Sequence, residues 1–183
     1  MYKVMLDTCA LVNFFLVYSK KDKGGEIPPS LKKYEELLDK FETGKFLNVM
    51  SQWSKLELRN VVRLIRLEQK FVESGYSTRE FGDARKEIFL TPEENKLVNQ
   101  AIFDIWKYCI RETKSLTEGD FRKIENLSKK GFEFMDLILI LQSKKNKCDF
   151  FITKDTQLKK TEKLSKEFNI KIIGINEFLD KLK

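Results

Sequence analysis

FMDLILILQSKKNKCDFFITKDTQL, residues 134–158, decides how this chain folds. Its LILIL centre suits a buried helix or a buried strand, because an unbroken apolar run carries no period. A polar-rich tail continues the run, and a second apolar run follows at once. The reading is therefore a helix over about 135–146 and a strand over 149–153, DFFIT. Asp155 stands just past that strand, and a helix over 156–168 follows it.

The same unit recurs outward from there. YKVML (2–6) reads as a buried strand and 8–18 as a helix, with Asp7 between them. FLNVM (46–50) is a strand leading into a long helix over 52–73, capped by Ser51. IKIIGI (170–175) is a last strand before a last helix, NEFLDKLK, capped by Asn176. KKDKGGEIPPS (20–30) is the clearest break. Ser30 is placed to cap a helix over 31–43 that ends near Gly44. The middle of the chain is irregular over 75–91. A helix over 93–113 comes next, with Leu97, Val98, Ala101, Ile105, Tyr108 and Cys109 inward, then one over 118–130 ending near Gly131. Short apolar strands alternating with helices imply an α/β fold with a mostly parallel central sheet flanked by helices. The expectation is one domain, 1–183, with a helical insertion at about 75–130.

The chain has 183 residues, 42% of them hydrophobic and 15 of them Phe, enough for a packed core. No apolar stretch approaches the roughly 20 residues of a membrane span. The opening MYKVMLDTCALVNFFLVYSKK carries Asp7 within its apolar part, so it reads as strand and helix, not as a signal peptide. Cys9, Cys109 and Cys148 are odd in number and scattered, which fits a cytoplasmic setting and neither a disulfide framework nor a zinc site. There is no histidine. That removes His-activated nucleophiles, His-ligated zinc and His acid–base cleavage of RNA, leaving carboxylates, lysine, hydroxyls and bound metal ions. Net charge is +7, a weak pointer to phosphate polyanions.

Four acids stand out: Asp7, Glu57, Asp136 and Asp155. Asp7 and Asp155 follow the C-terminal ends of strands, the edge where open α/β sheets bind ligands. Each also suits the plain role of helix cap. On the 52–73 helix Leu58, Val61, Val62, Leu64 and Ile65 share one face, and Glu57 lies on its flank. Arg59, Arg63, Arg66 and Lys70 form a stripe on the other side, read as a solvated face. Asp136 opens a very apolar helix. Two carboxylates about 4 Å apart repel by roughly 4 kcal/mol at an effective dielectric of about 20. Four that converge need protons or a counter-ion, and an all-oxygen set suits Mg²⁺ or Mn²⁺.

VMLDTCALVNFF (4–15), SQWSKLELRNVV (51–62), FMDLILILQS (134–143) and CDFFITKDTQL (148–158), taken in order, resemble the PIN-domain nucleases. The Thr153-Lys154-Asp155 triplet after a strand is the most specific part, and the step of nineteen from Asp136 to Asp155 also suits the family. The resemblance covers about 1–73 and 132–180. It implies a metal-dependent endoribonuclease that hydrolyses single-stranded RNA to 5′-phosphate and 3′-hydroxyl ends. Asp7, Glu57, Asp136 and Asp155 would hold one or two Mg²⁺ or Mn²⁺ ions, with Thr8 and Thr153 as supporting hydroxyls. A toxin role in a toxin–antitoxin pair would add an antitoxin protein and a homodimer as partners.

The chain departs from that pattern at Cys9, where a polar residue is usual, and at Gln157, where an acid is usual. Its loop at 20–30 and its middle segment also make it longer than a minimal toxin-type member. A haloacid-dehalogenase phosphatase needs a second Asp where Cys9 stands. The remaining alternative is a PIN-like protein that binds RNA as a scaffold and cuts weakly or not at all.

Overall fold

Alternation within the strands separates two cores. The computed structural model describes residues 1–84, 88–106, 109–111, 114–156, 158 and 162–183. Strand β1 is Tyr2–Leu6, β2 Phe46–Met50, β3 Ile110–Arg111, β4 Phe150–Ile152 and β5 Lys171–Ile173. Helix α1 is Thr8–Asp22, α2 Lys32–Glu42, α3 Gln52–Glu73, α4 Phe81–Ala84, α5 Pro92–Trp106, α6 Glu118–Ser128, α7 Phe134–Lys145, α8 Glu162–Phe168 and α9 Ile175–Lys181. Val4, Leu6, Phe46, Met50, Phe150, Ile152 and Ile173 face one core, with α1, α2, α3, α5 and α9. Met5, Val49, Phe151 and Ile172 face the other, with α6, α7 and α8. This is the period of two that a strand buried on both faces must show.

The strands are all parallel, in the order β3-β2-β1-β4-β5. The chain runs outward from β1 through β2 to β3, then returns to lay β4 on the other side of β1. The order therefore reverses between β1 and β4, and a crevice opens beyond their C-terminal ends. Among the described residues no helix is long and apolar enough to cross a membrane.

α7 is a helix, and Leu137–Ser143 are buried without a break. It lies against β1, β4, α3, α6 and α8, so its central stretch is covered all round and needs no amphipathic period. Ser51 caps α3, its side chain accepting from the Ser54 backbone N–H at 3.0 Å, an arrangement that stabilises a helix by about 1 kcal/mol. Gly131, with φ of 91°, takes the left-handed conformation just past α6.

Several expectations are corrected. The helix placed at 93–113 ends at Trp106, and Ile110–Arg111 pairs with Val49–Met50 as β3. The middle segment is therefore not purely helical; it widens the sheet. Leu97 is 69% exposed, because Val98 and Ile102, four apart, are the residues that pack inward. Cys109 lies beyond the helix and accepts a hydrogen bond from Asn48 at 3.4 Å. Leu64 is exposed rather than on the buried face. The 22-residue α3 is about 33 Å long, roughly twice the reach of a five-residue strand, so it outruns the sheet. Ser30 sits in a 3₁₀ turn, Pro29–Leu31, and α2 has Leu31 at its cap position with no side-chain bond. Asn176 lies inside α9, whose cap position is Gly174. The Ile105 side chain, Tyr108 and Gln157 fall outside the described residues.

Candidate functional site at the sheet edge

Asp7 directly follows β1 and is only 5% exposed. Its backbone N–H donates to Ile152 of β4 at 2.9 Å, so the carboxylate leaves the sheet at the strand-order reversal. Oδ1 accepts from the Ala10 N–H at 2.6 Å and caps α1. Oδ2 accepts from the Thr153 hydroxyl and from the Lys154 N–H at 3.2 Å. The capping role is real, and it uses one oxygen. The other oxygen binds the segment beyond β4.

Thr153 is buried, its N–H bound to Ile173 of β5 at 3.0 Å. Its hydroxyl donates to Asp7 and accepts the Asp155 N–H at 2.9 Å, which turns the chain and presents Asp155 at the exposed rim. Glu57 enters from α3, and Thr8, the first residue of α1, donates its hydroxyl to Glu57 Oε2. Asp136 lies in the first turn of α7, half-buried. All four acids singled out in the sequence thus meet beyond the C-terminal ends of β1 and β4, with Thr8 and Thr153 as supports.

Burial, then the charges of Glu133, Asp7, Asp155 and Glu57, push the Asp136 carboxyl up to about 7. Burial also raises Asp7, against its hydrogen bonds from Thr153, Ala10 and Lys154, and Glu57 adds to the rise. Partial burial raises the Cys9 thiol, helped by Asp7, Asp136 and Glu57 and opposed by Lys154. Asp136 thus feels the other three acids and Asp7 feels Glu57, and the site favours protons or a cation.

Three residues of this site were not anticipated in these roles. Glu133 occupies the cap position of α7 and adds a fifth negative charge; its spacing of three from Asp136 was the available signal. Lys154 supplies a cation beside the acids, and Cys9 lies within their field.

The donor set fits a hard divalent cation: oxygen only, anionic and mutually repelling. The carboxylates are not drawn into a closed cage. Among the described residues no three Asp, Glu or Cys side chains stand within common reach of one ion. Thr8 tethers Glu57 and Thr153 tethers Asp7.

No family model, no curated protein and no solved structure matches this chain.

Proposed function

We propose that the protein is a metal-dependent ribonuclease of the PIN-like type, hydrolysing phosphodiester bonds of single-stranded RNA to leave 5′-phosphate and 3′-hydroxyl ends. The observation that carries this reading is the convergence of Asp7, Glu57, Asp136 and Asp155 at the reversal point of a parallel sheet. The absence of histidine leaves such acids as the natural means of hydrolysis.

The four carboxylates would hold Mg²⁺ or Mn²⁺, directly or through water. A divalent cation there supplies a bound water of lowered pKa and neutralises charge on the phosphate. The chain's own residues do the rest. Thr153 orients Asp7 through Oδ2, and Thr8 orients Glu57. Lys154, whose charge reaches the Cys9 thiol, draws the phosphate to the rim where Asp155 is exposed. The buried strand ends behind Asp7 limit water to the open side. A toxin role, with an antitoxin and a homodimer, is a further extension of this reading.

The test is cleavage of a mixed single-stranded RNA pool in Mn²⁺, with end-group analysis. Asp7→Asn, Asp136→Asn and Asp155→Asn each abolish cleavage. Full activity in any two of them removes the site assignment.

A second reading is favoured by the open spacing of the acids. It makes the protein an RNA-binding scaffold that does not cut. RNA binding without cleavage, together with a melting temperature indifferent to Mn²⁺, would select it.

A further inference from the structure

The opposite flank of α3 from Glu57 forms a groove with α5, about 730 Å³ in volume. Among the described residues, Lys55, Arg59 and Lys96 are the charged side chains lining it, and all are basic. Among the described residues no carboxylate pairs with any of the three. The stripe read from the sequence as one solvated face is thus two things. Arg66 and Lys70 hold Glu94 of α5 at 3.1 and 2.9 Å and fasten the helices together. Arg59 lies about two turns before Arg66, nearer the sheet, and lines the groove.

Aromatic and apolar surface is interleaved with those cations. Phe103 is 54% exposed and Leu56 similarly so, both on the groove wall. The Lys55 ammonium lies 3.1 Å from the Trp106 ring centroid, and the Arg111 guanidinium 5.4 Å from it. Burial, Arg111 and Arg59 together lower the Lys55 ammonium from its ordinary value. Cations crowded on an aromatic floor, with no carboxylate paired to them among the described residues, are relieved by a polyanion. The amide side chain of Asn99 lines the same wall and suits base edges.

Position links the groove to the acids. Arg111 ends β3, opposite Met50 at the end of β2. β3 is two strands from β1, so with strands about 4.8 Å apart its end lies about 10 Å along the same edge from that of β1, where Asp7 stands. That separation is short enough for a flexible strand leaving the groove to span.

We infer that the α3–α5 groove is a binding track for single-stranded nucleic acid, with phosphates on Lys55, Arg59 and Lys96 and bases stacked on Phe103. The ribonuclease reading supplies the destination of the strand; the binding itself does not depend on it. Exposed aromatics beside the cations favour bases over the carboxylates of an acidic peptide.

Fluorescence anisotropy tests this with a labelled mixed-sequence strand of about 12 nucleotides, as RNA and as DNA, in EDTA so that no metal-dependent cleavage occurs. Wild type binds, and binding weakens with salt. The Arg59→Gln/Lys96→Gln double variant loses about tenfold or more in affinity and has a shallower salt dependence. Phe103→Ala loses about fivefold or more and keeps the wild-type salt dependence. All three substituted residues are exposed, and circular dichroism melts confirm that the variants fold. Wild-type affinity in both variants, or no binding by wild type, overturns the track. An acidic peptide bound as tightly as the RNA, with no effect of Phe103→Ala, also overturns it and gives the face to a protein partner. RNA that binds through the groove but is never cut in Mn²⁺ sinks the ribonuclease reading and leaves the track standing. Cleavage at an unchanged KM in both variants does the reverse.

Discussion

The Thr153 hydroxyl donates to Asp7 Oδ2 across the ends of β4 and β1. A buried carboxylate is thereby fixed by a neighbouring strand, while the same hydroxyl receives the Asp155 N–H. One side chain sets two of the four acids.

Thr153→Val removes that junction without changing the side-chain volume much. The Asp7 oxygen loses a hydrogen bond in a buried site, and the Asp155 N–H loses its acceptor. Urea unfolding at about pH 8 in EDTA is expected to show a loss of about 1–3 kcal/mol. Thr153→Ser restores most of it. Equal stability of the Val variant and wild type would mean that the hydroxyl holds nothing.

Asp136 makes stability depend on pH in a defined direction. Its carboxyl is raised from 3.8 to about 7 in the fold, so between those values the folded chain binds more protons than the unfolded one. Its contribution is fully present below the ordinary value, falls as pH rises through about 7, and is flat above. Asp136→Asn removes that slope and raises the melting temperature of metal-free protein at about pH 8. Parallel wild-type and variant curves from about pH 4 to 8 would contradict the repulsion described for this site.

Removing Thr8's hydroxyl tests whether Glu57 needs to be held. Thr8→Val frees Glu57 to swing, and on the ribonuclease reading kcat drops about 10- to 100-fold with KM little changed. Glu57→Gln loses more. If Thr8→Val matches wild type in single-turnover cleavage, the pairing is only structural.

Glu94 links α3 to α5 through Arg66 and Lys70, and its carboxyl is held at about 2 by the Thr91 N–H and Lys70. A depressed carboxyl stabilises above its ordinary value of 4.5 and loses that contribution as pH falls through about 2. Glu94→Gln is expected to lower the melting temperature at neutral pH, more at low salt than in about 1 M salt. It is also expected to weaken strand binding in the groove by loosening α5. A melting temperature insensitive to the change at every salt concentration would refute the link.

Much of the architecture was legible because local pattern and tertiary role coincide. Val4, Met5 and Leu6 form a short apolar run because the strand is covered on both faces, and Ser51 is followed by a helix whose Ser54 N–H it accepts. β3 was not legible. Two residues carry no period, and Ile110–Arg111 is a strand only because Val49 and Met50, some sixty positions earlier, lie beside it. Leu97 was misread because its helix packs through Val98 and Ile102, a choice made by α3 and not by α5 itself. Ser30 and Asn176 have cap chemistry but stand where the chain turns elsewhere.

The acids divide in the same way. Sequence alone marked Asp7 and Asp155 by their place after strands, Asp136 by its apolar helix and Glu57 by its flank, and the lack of histidine confined the chemistry to oxygen donors. Tertiary structure alone decided that they face one another, that Thr8 reaches Glu57 and Thr153 reaches Asp7, and that Glu133 and Lys154 join them. The physical reason is range. Capping and burial pattern act within one turn or strand and leave a trace in neighbouring residues. Charge acts through space, between carboxylates as many as 129 positions apart in the chain (Asp7 to Asp136), and leaves no such trace until the parallel sheet brings its strand ends together.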